Sequence, residues 1–183
     1  YVGPAVSPPR KPKRPWPIEF YSSDVGKKWV MAVTGLMLLG FVLVHMIGNL
    51  KVFIGPTSID NYGEALRDLG GHLVPRTSLL WILRIGLVVA FGLHILAAAQ
   101  LTASNRRARG ERGQAKRDYV AANFASRTMR WTGIIVAAFI VYHLLDLTYG
   151  VTNPDYVRGS VYDNMVASFE RVPVAAFYIL ANV

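Results

Sequence analysis

Residues Trp29–Leu50 run for 22 positions without a lysine, arginine, aspartate or glutamate. A helix rises about 1.5 Å per residue, so a run of this length crosses a bilayer, which needs about 20 residues. Ile85–Ser104 is a second uncharged run, and its span begins at Leu79 with Arg84 near the outer end. Trp131–Val151 is a third, interrupted only by Asp146. A fourth begins at about Val172 and reaches Val183 after 12 residues. That is too short to span, and a chain end in mid-bilayer would leave polar groups unsatisfied. The natural protein is therefore expected to continue. The pattern predicts an all-α, polytopic transmembrane helix bundle over 21–183. Its spans lie near 29–52, 79–104 and 129–150, with an incomplete one at 172–183. A basic, Pro-rich, flexible tail precedes it over 1–20.

Composition agrees. The chain is 52% hydrophobic but only 17% charged, against about 25% charged in ordinary soluble domains. A net charge of +9 would fit nucleic acid in another setting. Here the basic residues gather at the ends of apolar runs, which is the pattern of membrane topology and not of nucleic-acid binding. The N-terminus lacks the short apolar region and cleavage site of a signal peptide. Cysteine is absent, so any metal centre must use histidine or ligands borrowed from elsewhere.

Loop charge orients the spans. The segment up to Lys28 has six Lys/Arg and Asn105–Arg130 has eight, including Arg106, Arg107, Arg109, Arg112, Lys116 and Arg117. Lys51–Leu80 has three and Thr152–Arg171 has two. The positive-inside rule places the N-terminus and the second loop in the cytoplasm. Trp29, Trp81 and Trp131 fall near span ends, as an aromatic belt requires. Tyr62–Leu69 is expected to form a short interfacial helix on the outer side.

Three of the apolar runs contain a histidine: His45, His94 and His143. An ionisable residue inside a span is costly and marks a functional site. Imidazole is also a frequent metal and haem ligand. Along outward helices, His45 lies roughly 24 Å and His143 roughly 18 Å from the cytoplasmic end. His94 lies roughly 22 Å from the outer end of an inward helix. His45 and His143 thus share the outer half and suit one iron between two imidazoles, whereas His94 stands alone in the inner half. A histidine shortly after Val183 would match its depth. The plainer explanation for any single histidine is a hydrogen bond to a neighbouring helix. His72, beside Gly70 and Gly71, reads as a surface residue.

Other residues carry paired readings. Arg84 is a candidate partner for haem propionates, because guanidinium binds carboxylate in a bidentate fork; the alternative is snorkelling to the interface. Asp146, three residues after His143, is a candidate proton relay or a helix-end hydrogen-bond acceptor. Gly35, Gly40, Gly86, Gly92 and Gly133 allow close helix approach or room for a flat macrocycle.

Several segments together resemble one family. They are Ser22-Ser23-Asp24-Val25-Gly26-Lys27-Lys28-Trp29 through Thr34-Gly35, His45-Met46-Ile47-Gly48-Asn49-Leu50-Lys51-Val52-Phe53, Asn61-Tyr62 and Leu66-Arg67. To these are added Leu80-Trp81-Ile82-Leu83-Arg84, Leu93-His94, Ala125-Ser126-Arg127-Thr128-Met129-Arg130-Trp131 and Tyr142-His143-Leu144-Leu145-Asp146. They resemble the cytochrome b subunit of succinate dehydrogenase/fumarate reductase, the b558 family, over residues 18–183. The resemblance implies a five-helix membrane anchor of respiratory complex II in a bacterial plasma membrane. It implies a flavoprotein subunit and an iron–sulfur subunit as cytoplasmic partners, and leaves a higher oligomer of the complex open. It implies one or two haems b, with His45 and His143 on the distal haem and His94 on the proximal one. A Rieske-type [2Fe–2S] centre with thiolates from outside this chain is the alternative iron site. The implied function is electron transfer from succinate oxidation in the tricarboxylic acid cycle to quinone in the respiratory chain. Ser23, Lys27 and Lys28 are candidate quinone-binding residues; the lysines also suit lipid phosphate. The rivals are a non-redox anchor and a transporter relaying protons through His143 and Asp146, although no broken-helix repeat supports transport.

Overall fold

The computed structural model describes residues 15–109 and 120–182. The basic tail up to Arg14 lies outside the described residues, as do Arg112, Lys116 and Arg117 of the loop after the second apolar run. Among the described residues every regular element is helical. The helices are α1 (Trp16–Ser22), α2 (Asp24–Asn49), α3 (Pro56–Arg67), α4 (Ser78–Arg109), α5 (Val120–His143), α6 (Val161–Glu170) and α7 (Val172–Asn182). A 3₁₀ turn, Leu50–Phe53, extends α2, and a π-helical turn, Leu144–Thr148, extends α5.

Three segments are long and apolar enough to cross a membrane: Asp24–Phe53, Ser78–Arg107 and Trp131–Thr148. Only 6% of each apolar stretch is buried within the protein. Leu36, Val44, Ile47 and Val88 all stand more than half exposed. A continuous apolar surface of this extent is a lipid-facing surface, so the chain is membrane-embedded. The fourth apolar run forms α7, 11 residues long.

The element boundaries depart from the sequence reading in three places. The tail is already helical from Trp16, because Pro15 precedes a turn in which Trp16 stacks on Phe20, their ring centroids 5.6 Å apart. The short helix expected over Tyr62–Leu69 instead begins at Pro56 and ends at Arg67. The segment between the third apolar run and Arg171 contains a further helix, α6.

The chain divides into two compact units, Tyr1–Leu39 with Gly86–Arg112 and Gly40–Ile85 with Gly113–Val183. In the first unit, Ser23 builds the corner between α1 and α2. Its hydroxyl donates to the Phe20 carbonyl at 2.7 Å and accepts from the Gly26 amide at 2.9 Å. A β-carbon on Gly26 would lie 1.9 Å from the Phe20 carbonyl oxygen, so only glycine closes this corner. Ala90, Ala97 and Leu101 are buried on α4.

In the second unit the backbones pack closely where the short elements meet: α3 on α6, α6 on α7 and on the π-turn, and α5 on α7. Ile59, Val174 and Tyr178 form the buried apolar centre. Around them lies a polar lattice. Asn164 exchanges two 2.7 Å bonds with the backbone of Val157, and Asn153 donates to the Asn164 carbonyl and to Ser168 Oγ, each at 3.2 Å.

Helix α6 receives its cap from α3. Asp60 Oδ1 accepts from the amides of Val161 at 2.8 Å and Tyr162 at 3.1 Å, while Ser160, at the N-cap position, makes no side-chain cap of its own. Asp60→Ala is expected to cost about 1–2 kcal/mol, the worth of a strong N-cap. Asp60→Asn, which keeps the acceptor oxygen, should retain most of it. Unfolding of the detergent-solubilised protein measures both.

Candidate functional site

In the second unit the structure brings His45 and His143 together. Their ring centroids are 5.8 Å apart and their planes stand at 85°. Each ring is braced from its own helix by the phenylalanine one turn earlier. Phe41 stacks on His45 at 5.2 Å and 20°, and Phe139 on His143 at 5.6 Å and 22°. Side chains four residues apart share a helix face, so both imidazoles are oriented by the same local device. Tyr178 of α7 closes on His143 edge-on, with centroids 6.1 Å apart.

Both imidazoles line one cavity of about 240 Å³, together with Arg84, Arg67, Asn49 and Tyr156. Arg84 also lies over the Trp81 ring, 5.1 Å from its centroid. Arg67 pairs with Glu64, which in turn pairs with Arg76. The cavity thus joins two imidazoles with a guanidinium from near the N-terminal end of α4.

The residues fit an iron held between two imidazoles. With metal–nitrogen bonds of about 2 Å and each ring centre roughly 1 Å beyond its nitrogen, the ring centres stand about 6 Å apart, near the observed separation. The Nδ1 of His143 is buried without a hydrogen-bond partner, a deficit of about 1–3 kcal/mol for a buried polar group. Among the described residues no three His, Cys, Asp or Glu side chains gather as a metal cage. A centre here would therefore rest on two imidazoles plus donors supplied by the bound group.

Asp146 has a different setting from the relay considered in the sequence. It is fully buried and paired with Arg171 at 2.5 Å. Its Oδ1 also accepts from Thr152 at 3.1 Å, and its Oδ2 meets the Tyr178 hydroxyl at 3.4 Å. Arg171 reaches on to the Thr152 carbonyl at 2.5 Å. This is a clasp between the π-turn that follows His143 and the start of α7. The π-turn itself closes where the Tyr149 amide donates to the Leu144 carbonyl at 2.9 Å, and such turns recur at functional sites.

His94 lies in the first unit, against α2. Its Nδ1 is 3.1 Å from both Thr34 Oγ1 and the Met31 carbonyl. A β-carbon on Gly35 would lie 3.1 Å from His94 Cε1, so that glycine gives the ring its seat. Gly40, Gly86, Gly92 and Gly133 have nothing within 4 Å of such an atom. His72 is exposed.

The quinone candidates separate. The Ser23 hydroxyl is committed to the α1–α2 corner. Lys27 Nζ donates to the Ser22 carbonyl and to Asp24, both at 3.3 Å. Lys28 is exposed.

Sequence reasoning overlooked Phe41, Phe139 and Arg171. A Phe-x-x-x-His repeat in two apolar runs was the available signal for the first two. For Arg171 it was a lone carboxylate, Asp146, in a span with an arginine opening the next apolar run. Comparison with protein-family models, curated proteins and solved structures finds no match.

Proposed function

We propose that this chain is the membrane anchor and electron-transfer subunit of a succinate:quinone oxidoreductase, working in a bacterial plasma membrane with its N-terminus in the cytoplasm. In this reading α7 belongs to a fourth span. Dicarboxylate chemistry takes place on a flavoprotein partner, and electrons arrive through an iron–sulfur partner. The observation that carries the proposal is the meeting of His45 and His143, from two separate spans, in a cavity that Arg84 also lines. The motif resemblance points the same way.

A haem b bound there supplies reversible one-electron chemistry. His45 and His143 would hold its iron, and Phe41 and Phe139 would keep the two imidazoles aligned. Arg84 neutralises carboxylates at the membrane edge, where a guanidinium fork suits them. His94 is one ligand of a second centre in the same role. Asp146 is held by Arg171, and its part is to fix the segment behind His143. At the cytoplasmic end Lys27 and Lys28 hold lipid phosphate or donate to a quinone carbonyl. Reduction to quinol takes two electrons from the iron–sulfur side and two protons from that face.

Affinity purification through a tag on this chain tests the proposal. The expected preparation contains the flavoprotein and iron–sulfur subunits, reduces quinone with succinate, and shows a b-type band that succinate reduces. Iron with acid-labile sulfide but no haem, beyond the partner's own clusters, would favour the Rieske-type centre. Quinone reduction that persists without any b-type band would leave the chain a non-redox anchor.

A further inference from the structure

The contacts of His94 decide which of its ring nitrogens carries the proton. The Met31 carbonyl accepts hydrogen bonds and has no proton to give. Its 3.1 Å approach to Nδ1 is therefore a hydrogen bond only when Nδ1 is protonated. Thr34 leads to the same assignment. Its hydroxyl has one proton, and its shortest contact, 2.6 Å, is with the Val30 carbonyl; Met31 O lies farther, at 3.2 Å. With that proton directed along the helix backbone, Thr34 Oγ1 meets Nδ1 at 3.1 Å as an acceptor. Both oxygens call for a proton on Nδ1, and in the neutral ring that tautomer leaves the lone pair on Nε2. Thr34 is buried, and Gly35 clears the space beside it for the ring.

We propose that Met31, Thr34 and Gly35 form a positioning clamp on α2 that fixes the tautomer and seat of His94 and presents Nε2 as a ligand nitrogen. The identity of the group that Nε2 binds rests on the haem reading; the tautomer does not. Ligating histidines commonly donate their second ring N–H to a carbonyl, which orients the ring and strengthens it as a donor. Thr34 and the Met31 carbonyl are positioning groups and touch no bound group themselves. His143, whose Nδ1 lacks a partner, has no equivalent.

Two measurements on the full chain test the clamp. The first is the ¹⁵N spectrum of ring-labelled, haem-free protein in lipid bilayers, with His94→Gln to assign the resonance. The expected result is the Nδ1–H tautomer at His94, with Thr34→Val shifting population toward Nε2–H. An Nε2–H form in the unsubstituted protein overturns the proposal. The second is redox titration and haem retention of the intact complex. Thr34→Val is expected to move one centre to a more positive midpoint and to weaken its retention about 10-fold, the usual effect of removing such a partner. Gly35→Val should eliminate that centre and Gly35→Ala should disturb it less. An unchanged midpoint and retention in both Thr34→Val and Gly35→Val overturn the clamp while leaving the haem reading intact. A complex without low-spin haem whose His94 is still Nδ1–H sinks the haem reading and supports the clamp.

Discussion

Arg171→Leu is expected to destabilise the protein by about 3 kcal/mol, because it strands the buried carboxylate of Asp146. Removing one member of a buried ion pair costs about 3–5 kcal/mol. The lower end applies because 27% of the Arg171 side chain remains exposed, whereas Asp146 is wholly enclosed. The substitution also removes a donor from the Thr152 carbonyl. Asp146→Asn in the same background should recover more than half of the loss: the amide carries no charge to strand, its oxygen in the Oδ1 position can still accept from Thr152, and its NH2 can donate to the Tyr178 hydroxyl. Reversible unfolding in mixed micelles reads all four forms of the cycle. Effects that simply add, to within about 0.5 kcal/mol, would mean that the clasp contributes no coupling. The same clasp ties α7 to the segment behind His143, so Arg171→Leu should also broaden the spectroscopic signature of whatever His143 holds.

The second large effect concerns the imidazole pair. His45→Ala and His143→Ala should each abolish the same low-spin centre, and the double substitution should do no more than either alone, because one iron cannot be kept six-coordinate by a single protein ligand. Phe41→Leu and Phe139→Leu keep the ligands but loosen the rings, and are expected to shift the signal without removing it. His94→Gln should spare this centre. If the two alanine variants removed different signals, His45 and His143 would serve separate sites despite ring centroids 5.8 Å apart.

Much of this was legible in the chain because lipid imposes a simple requirement. A segment in the bilayer must be helical, uncharged and about 20 residues long, so the three long helices stand out from composition alone. Their ends were less clear. Asp24, Lys27 and Lys28 continue α2 beyond its apolar stretch, and Arg106 and Arg107 do so for α4. The start of α3 had a readable signal in Pro56 after Gly55, whose φ is 133°, since proline at the first helical position is a common start. Helix α6 had one in Ser160 with Asp163 three residues on, but the side chain that caps its amides is Asp60, about a hundred residues earlier. The histidines divide in the same way. Helical rise is constant, so depth pointed to His45 with His143 before any contact was known. The neighbours of His94 depend on how α2 and α4 are rotated about their axes, which depth does not specify. Thr34 and the Met31 carbonyl therefore emerge only from the structure, as does the pairing of Asp146 with Arg171.

Low-temperature EPR of the purified, oxidised complex beside its His45→Ala and His143→Ala variants tests the central claim most directly. The expected spectrum of the unsubstituted protein shows low-spin ferric haem with two imidazole ligands, and both variants lack one and the same component of it. A spectrum without low-spin haem, or one that neither substitution alters, would contradict it.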